Sequence, residues 1–568
     1  MNQYIPVTNT SADLACCADA WFFDEKYNCW CLEDLIYTQK ATTPKFQRLS
    51  IYVPAEYMSE GGMVNESGIN GRFTARTAPV VFMNQSAGYM QMPHSWLGGP
   101  RDDGPVYLRR GMVYVTCGLR GRESKDSEGR LCAKSPWSII DLKTAIRFLR
   151  HNKSVLPGDF DRIISVGWSA GGAMSSLLGI TGNCPDYDSF LKENGAFMDE
   201  TDDVYAAMVY CPIVDLDHAD LAYEWQFVND TDYEANMTGP AGTLTEFEAA
   251  LSKKLAVRYV DYFNSLALKL PGTRRVLSLG KDGRSGSGYE YVMTLLEEAA
   301  DEYLARLDEG RLEEKFSSAD YISGNYTFKK EIMELPEGSD DPGLHHAGAP
   351  VALPQEEDGR KPPAMPSLGD LMSRPPKGTP VKMPEFKFTD VKGDDKRDWL
   401  SWDGRQAEIT GLDDYLLGHR RRMKPCTSFD TLNMDSGENQ EFGTPQNDYM
   451  HFNTDIAAAI EELKTEFPEE YAKYYPSFAA AAGDKALEKR RALINPMNYI
   501  GSSMCDASPY FRIRVGAQDA DTSFAISMAL ALKLAETGAD TDYALVWDKP
   551  HCMADYPGEF CDWIEEIV

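Results

Sequence analysis

Between residues 49 and 210 short apolar, β-branched runs alternate with stretches whose apolar residues return every three to four positions. The runs at 49–53, 80–83, 112–117, 163–166 and 205–210 are short and nearly continuous, a pattern that predicts strands buried on both faces. Between the third and fourth, Ser135-Pro136 opens a stretch with Ile139, Leu142, Ile146 and Leu149 at helical spacing. Proline at a helix start costs little, because an N–H there would have no partner within the helix. Strand, helix and strand in this order predict a βαβ crossover, and their repetition a mostly parallel, doubly wound α/β sheet covered on both faces. The pattern then lapses and returns near the end. Residues 511–515 read as a strand, Phe524, Met528 and Leu532 as one helix face stopped by Gly538, and 543–547 as a further strand.

The interruption, about 280 residues from 215 to 497, is far longer than an ordinary connection. Residues 1–214 and 498–568 are therefore expected to form one catalytic domain, and 215–497 a large, mainly helical inserted lid domain. Helices are expected at 244–267 and 289–307. From 335 to about 390 the chain is too rich in Pro and Gly to sustain helix or strand and reads as an excursion, possible flap material over a site.

Composition narrows the classes. With 43% hydrophobic and 11% aromatic residues in 568, the chain has ample material for a core. Asp and Glu number 88 against 57 Lys and Arg, a formal charge of -31, which repels phosphate backbones and anionic lipid surfaces. Nucleic acid and membrane partners are not expected. The amino-terminal stretch shows no basic region leading into an apolar run, so a cytoplasmic protein is expected, or an exported one if a signal peptide has been removed. Twelve cysteines occur without metal-type spacing; Cys16-Cys17 and Cys29/Cys31 make no C-x2-C pair. With no H-E-x-x-H, Walker or dinucleotide-binding motif, neither metal nor cofactor is expected.

The sharpest signal is Gly167-Trp168-Ser169-Ala170-Gly171-Gly172, directly after the strand RIISV and before AMSSLLG, a stretch suited to helix. This is the setting of a nucleophile elbow, where a tight strand-to-helix turn lifts a serine hydroxyl above the sheet edge. Serine needs a base to take its proton, and in this fold the carboxylate and the histidine follow the serine in that order. Of eight histidines, His94 and His151 come too early, His218, His419 and His451 lie in the insertion, and His345 and His346 in the Pro-rich tract. His551, just past the last strand, remains. After the preceding strand, FRIRVGAQDADTSF offers Asp519 and Asp521; Asp519 is nearer the strand end, and Asp521 also suits a helix N-cap. Oxyanion donors are expected from the backbone of Ala170 and of Gly88, the latter in the loop after VVFM.

The stretches IYVPAEY, GLRGRES, LPGDFDRIISVGWSAGGA, YCPIVDLDHADLAYEWQF, RIRVGAQDADTSFAI and WDKPH resemble the bacterial tannases, α/β-hydrolases with an inserted lid. The resemblance implies a serine esterase that hydrolyses galloyl esters and hydrolysable tannins to gallic acid and an alcohol or sugar. It implies a triad of Ser169, Asp519 and His551 with Gly88 and Ala170 as oxyanion donors. In RRRMKPCTSFDTLNMDSGENQEFG it implies that Lys424 and Glu438, with Asp521, bind the ring hydroxyls, and that Ile213 touches the ring. Some tannases join a Cys beside the nucleophile to one beside the base; here Cys552 follows His551, but position 168 is Trp, which rules that bridge out. The Pro-rich tract is a second departure. Rival readings are a feruloyl or general aromatic carboxylesterase, and a non-catalytic hydrolase relative that binds ligand. Oligomeric state stays open.

Overall fold

In a computed structural model the described residues are 14, 20–99, 102–234, 240–334, 385–393 and 396–568. Nine strands form one sheet: β1 (Phe22–Asp24), β2 (Cys29–Ile36), β3 (Arg48–Pro54), β4 (Pro79–Asn84), β5 (Val113–Cys117), β6 (Asp159–Trp168), β7 (Ala206–Tyr210), β8 (Tyr510–Gly516) and β9 (Asp540–Val546). Their spatial order is β1-β2-β3-β5-β4-β6-β7-β8-β9. From β5 to β9 every pairing is parallel; β1, β2 and β3 add an antiparallel edge.

The seven strands read from the pattern are all present, each within a few residues of its expected bounds. The edge strands β1 and β2 are not legible in it. In β2 the register slips between Leu32 and Leu35, and Asp34 takes a positive φ of 64°, a bulge that breaks the alternation of inward and outward side chains. Glu33, which reads as a solvent residue, is buried there and accepts the Tyr52 hydroxyl at 3.0 Å.

Helix α1 (Trp137–His151) makes the expected crossover, with Pro136 one position earlier than expected, at the N-cap. Helix α2 (Ala170–Ile180) follows β6 and is buried along its whole length, as the run of small and apolar residues AGGAMSSLLGI requires.

No part of the chain between β7 and β8 joins the sheet among the described residues. That stretch holds α3 (Ala219–Phe227), fully buried, then α4 (Glu246–Ser265) and α5 (Ser287–Asp308), which match the two expected helices. A capping box starts α4: Thr245 Oγ1 accepts the Glu248 N–H at 3.2 Å and Glu248 returns the contact to Thr245 N at 2.8 Å. Residues 335–384 of the Pro-rich tract lie outside the described residues. Its far end departs from expectation: 385–390 belong to a strand, Glu385–Lys392, paired antiparallel with Thr327–Glu334. The physical reason is local, since EFKFTDVK contains neither proline nor glycine and its first five residues alternate polar with apolar.

Parallel register sets the site. Val166 pairs with Met83, Trp168 with Tyr210, Tyr210 with Arg514 and Gly516 with Val546. Strands β4, β6, β7, β8 and β9 therefore end together, and the loops leaving them meet at one edge, where ligands bind in open α/β sheets.

Candidate active site

Ser169 is the residue between β6 and α2, with φ 60° and ψ -128°. A left-handed φ on a non-glycine residue is costly and persists only where neighbours enforce it. Here they do: Ser169 N–H donates to Tyr210 O at 3.0 Å, and Ser169 O accepts Ala173 N–H at 3.1 Å and Ile213 N–H at 3.2 Å. The flanking glycines serve space and not torsion. A Cβ on Gly167 would lie 2.3 Å from both Asn84 Nδ2 and Gly171 O, and one on Gly171 2.8 Å from Asn84 Oδ1 and 2.9 Å from Ser86 O. Asn84, the last residue of β4, is buried, and its amide donates at 3.0 Å to Val166 O, Gly171 O and Ser175 Oγ. It buttresses the turn from behind, a role that its position in the sequence did not disclose.

On the neighbouring loops Asp519 is fully buried after β8, and its Oδ2 lies 2.8 Å from His551 Nδ1, after β9. Asp519 Oδ1 accepts the Asp521 N–H at 2.9 Å, which holds the carboxylate plane. Burial by itself would raise the Asp519 pKa. The facing His551, by charge and hydrogen bond, together with Arg420 and the Asp521 N–H, outweighs it and holds the carboxyl below the usual range. For His551, burial favours the neutral ring; the charge and hydrogen bond of Asp519, with Asp521 behind it, prevail over burial and the opposing Lys424, and the imidazole lies above its ordinary value. The ring of Trp168 meets that of His551 edge-on, centroids 5.9 Å apart, so the residue before the elbow serine packs on the expected base.

Histidine–aspartate pairing alone would not single out this pair. His218 Nδ1 sits 2.9 Å from Asp215, and His451 Nδ1 2.6 Å from Asp430. His451 stacks on Phe478 and His218 on Tyr262; what distinguishes His551 is its place on the loop after β9, beside Trp168. Cys211 lies beside the expected dyad, with its sulfur, an Asp519 oxygen and a His551 nitrogen within 4.8 Å of one another. Burial pushes this thiol well up, and its sulfur accepts the Gly516 N–H at 3.4 Å, the behaviour of a neutral packing group and not of a thiolate ligand.

The other expected residues surround the same edge. Gly88, φ 54°, and Tyr89, φ 58°, are the central pair of a turn closed by Met90 N–H to Ala87 O at 2.9 Å. Tyr89 hydroxyl donates to Ile213 O at 2.8 Å, which ties the turn to the residue expected to touch the ring. Ala170 opens α2, where the first N–H groups have no partner within the helix. Lys424 Nζ donates to Asp521 O at 2.7 Å, lies 4.0 Å from Asp521 Oδ1 and sits 4.2 Å above the Phe429 ring. The residues that place it were not singled out from sequence: Tyr223 hydroxyl accepts the Lys424 N–H at 3.2 Å, and Arg422 Nε donates to Lys424 O at 2.8 Å. Arg422 itself is fully buried against Glu224. Glu438, half-buried, is on the short helix α6 (Gly437–Glu441), and its charge acts on Tyr89.

A family model described as BD-FAE matches residues 127–265. Solved structures match far more of the chain. The tannin acyl hydrolase from Lactobacillus plantarum is 29% identical, with a TM-score of 0.70 over 95% of this chain and 94% of that one. The chain is an α/β-hydrolase with the architecture of the bacterial tannases. The Fusobacterium nucleatum tannase is 27% identical, with a TM-score of 0.69 over 95% of each chain. A tannin acyl hydrolase in complex with ethyl gallate superposes on this α/β-hydrolase with a TM-score of 0.69 at 29% identity. Among curated proteins, the Mycobacterium tuberculosis esterase LipC is 45% identical over 58 residues, 10% of this chain and 14% of that esterase's length. Among the described residues of this α/β-hydrolase, no helix is long and apolar enough to cross a membrane.

Proposed function

We propose that this α/β-hydrolase is a tannase, a serine esterase that hydrolyses galloyl esters through an acyl-enzyme. The observation that carries the reading is the convergence at one sheet edge of the strained Ser169, the Asp519–His551 pair and Lys424 held against Asp521. Ser169 Oγ attacks the ester carbonyl as His551 takes its proton; Asp519 keeps the imidazole oriented and stabilises the imidazolium. The N–H groups of Ala170 and Gly88 receive the carbonyl oxygen as charge develops on it. His551 then returns its proton to the departing alcohol or sugar, and a water activated by the same ring frees gallic acid.

Substrate choice belongs to the inserted region, which we take as residues 215–497. A ring with three adjacent hydroxyls offers donors to Glu438 and Asp521 and acceptors to Lys424. Removing a hydroxyl leaves a charged group unpaired, and sites of this kind reject the deficient analogue by factors of roughly 10⁴. The test is hydrolysis of methyl gallate beside methyl ferulate and methyl benzoate by the protein, its Lys424→Ala variant and, as a control, Ser169→Ala. A strong gallate preference that collapses in Lys424→Ala is expected, with no turnover above background in Ser169→Ala. Equal rates on gallate and ferulate would make it a broad aromatic esterase, and full activity in Ser169→Ala would remove the serine mechanism.

A further inference from the structure

Arg122 lies in the loop after β5, outside every contact assigned above, yet it joins two parts of the site. Its backbone N–H donates to Tyr89 O at 2.8 Å and its Nε to Gly88 O at 2.8 Å. These are the carbonyls of the two central residues of the Ala87–Met90 turn, which the turn's own hydrogen bond leaves unused. Because each peptide unit is planar and trans, fixing Gly88 O fixes the Tyr89 N–H, and the bond from Met90 to Ala87 O fixes the direction of the Gly88 N–H. The approach is close enough to require glycine next door: a Cβ on Gly121 would lie 2.1 Å from the Met90 carbonyl carbon.

The other edge of the guanidinium reaches the inserted region. Arg122 Nη1 donates to Gln440 Oε1 on α6, two residues from Glu438, and its Cζ would lie 3.1 Å from a Cβ on Gly437. Gln440 is in turn held from below, since its Nε2 donates to Asp448 Oδ1 at 3.1 Å and its carbonyl accepts Lys134 Nζ at 2.8 Å. Lys134 also pairs with Asp448 at 2.5 Å.

We propose that Arg122 is a positioning residue that ties the oxyanion turn to the helix bearing Glu438, so that seating the galloyl ring and orienting the Gly88 N–H are mechanically one event; this rests on the reading of the site given above. A planar fork with donors on two edges is what the task needs, and a lysine ammonium cannot span both contacts.

The experiment measures kcat and KM for methyl gallate and for p-nitrophenyl acetate, which has no ring hydroxyls to engage Glu438, in the intact protein and in Arg122→Met, Arg122→Lys and Gln440→Leu. In Arg122→Met, kcat on methyl gallate is expected to fall about tenfold or more with KM changed less than threefold, and kcat/KM on p-nitrophenyl acetate to fall with it. Arg122→Lys is expected to recover p-nitrophenyl acetate turnover in part and methyl gallate turnover little. Gln440→Leu, which cuts the link between Arg122 and α6 together with the Asp448 contact but leaves Arg122 on the turn, is expected to lower methyl gallate kcat and leave p-nitrophenyl acetate at the parent rate; it decides the matter if Arg122→Met does not fold. A pure rise in methyl gallate KM in Arg122→Met, or parent kinetics on both esters in Gln440→Leu, overturns the proposal. Failure of the tannase reading shows separately, as an unsubstituted protein that does not favour methyl gallate over methyl benzoate.

Discussion

His551 is governed by charges on three sides, and their signs predict a pH profile. In the proposed mechanism it is a base that works only when neutral, so activity is expected to be lost as pH falls through its pKa. Burial lowers that pKa, but Asp519 and Asp521 raise it more than Lys424 opposes, which places the acid limb above the usual imidazole value of about 6.5. Asp521→Asn removes a raising charge and is expected to move the acid limb of kcat/KM to lower pH; Lys424→Met removes a lowering one and is expected to move it to higher pH. Profiles of the two variants on p-nitrophenyl acetate check both signs, and displacement in the same direction would discard this electrostatic account. At this scale the proposed chemistry was legible in the sequence to different degrees. Ser169, Asp519 and His551 followed from motif, order and position after strands, whereas Lys424 and Glu438 came only from resemblance, since a lid Lys and Glu are otherwise surface charges.

The β6–Ser169–α2 element stores its strain in one torsion and relies on close backbone approach around it. Gly167→Ala puts a methyl 2.3 Å from backbone and amide atoms that are themselves hydrogen-bonded. A loss of about 1–3 kcal/mol in urea denaturation is expected, with kcat falling more than the stability change alone would suggest because Ser169 shifts. Retained stability and activity would show that Asn84 can move aside. The elbow was legible because its glycines, the strand before it and the helix after it are contiguous. Strand β2 was not, because its bulge and buried Glu33 are tolerated only through β3 and the Tyr52 hydroxyl.

Across the whole molecule, the stretch between β7 and β8 is clamped onto its own first helix, α3, by a pair of buried carboxylates. Asp220, on α3, accepts the N–H groups of Ser428 at 2.9 Å, Phe429 at 2.8 Å and Asp430 at 3.2 Å, and the Asn453 amide at 3.2 Å. Asp430 accepts Phe452 and Asn453 N–H at 2.7 Å each and Asn439 Nδ2 at 2.7 Å. The segment so held runs between Lys424 and Glu438. Asp220→Ala leaves several buried donors unsatisfied and is expected to cost more than about 3 kcal/mol. It should also lower turnover of methyl gallate more than that of p-nitrophenyl acetate. Unfolding by urea and the ratio of the two rates test this; an unchanged ratio would mean that the clamp does not reach the ring site.

The sequence by itself determined the class of fold and the interruption of the sheet, and it singled out the serine, aspartate and histidine proposed for its edge. Those features depend on local periodicity, on turn chemistry and on the fixed order in which parallel strands deliver their loops. Tertiary structure decided the rest. Asn84 behind the elbow, Tyr223 beside Lys424, and Arg122 between the turn and α6 act through partners tens to hundreds of residues away. Such contacts follow from how separate elements pack against one another at the strand ends, and no local pattern of apolar and polar residues encodes that packing.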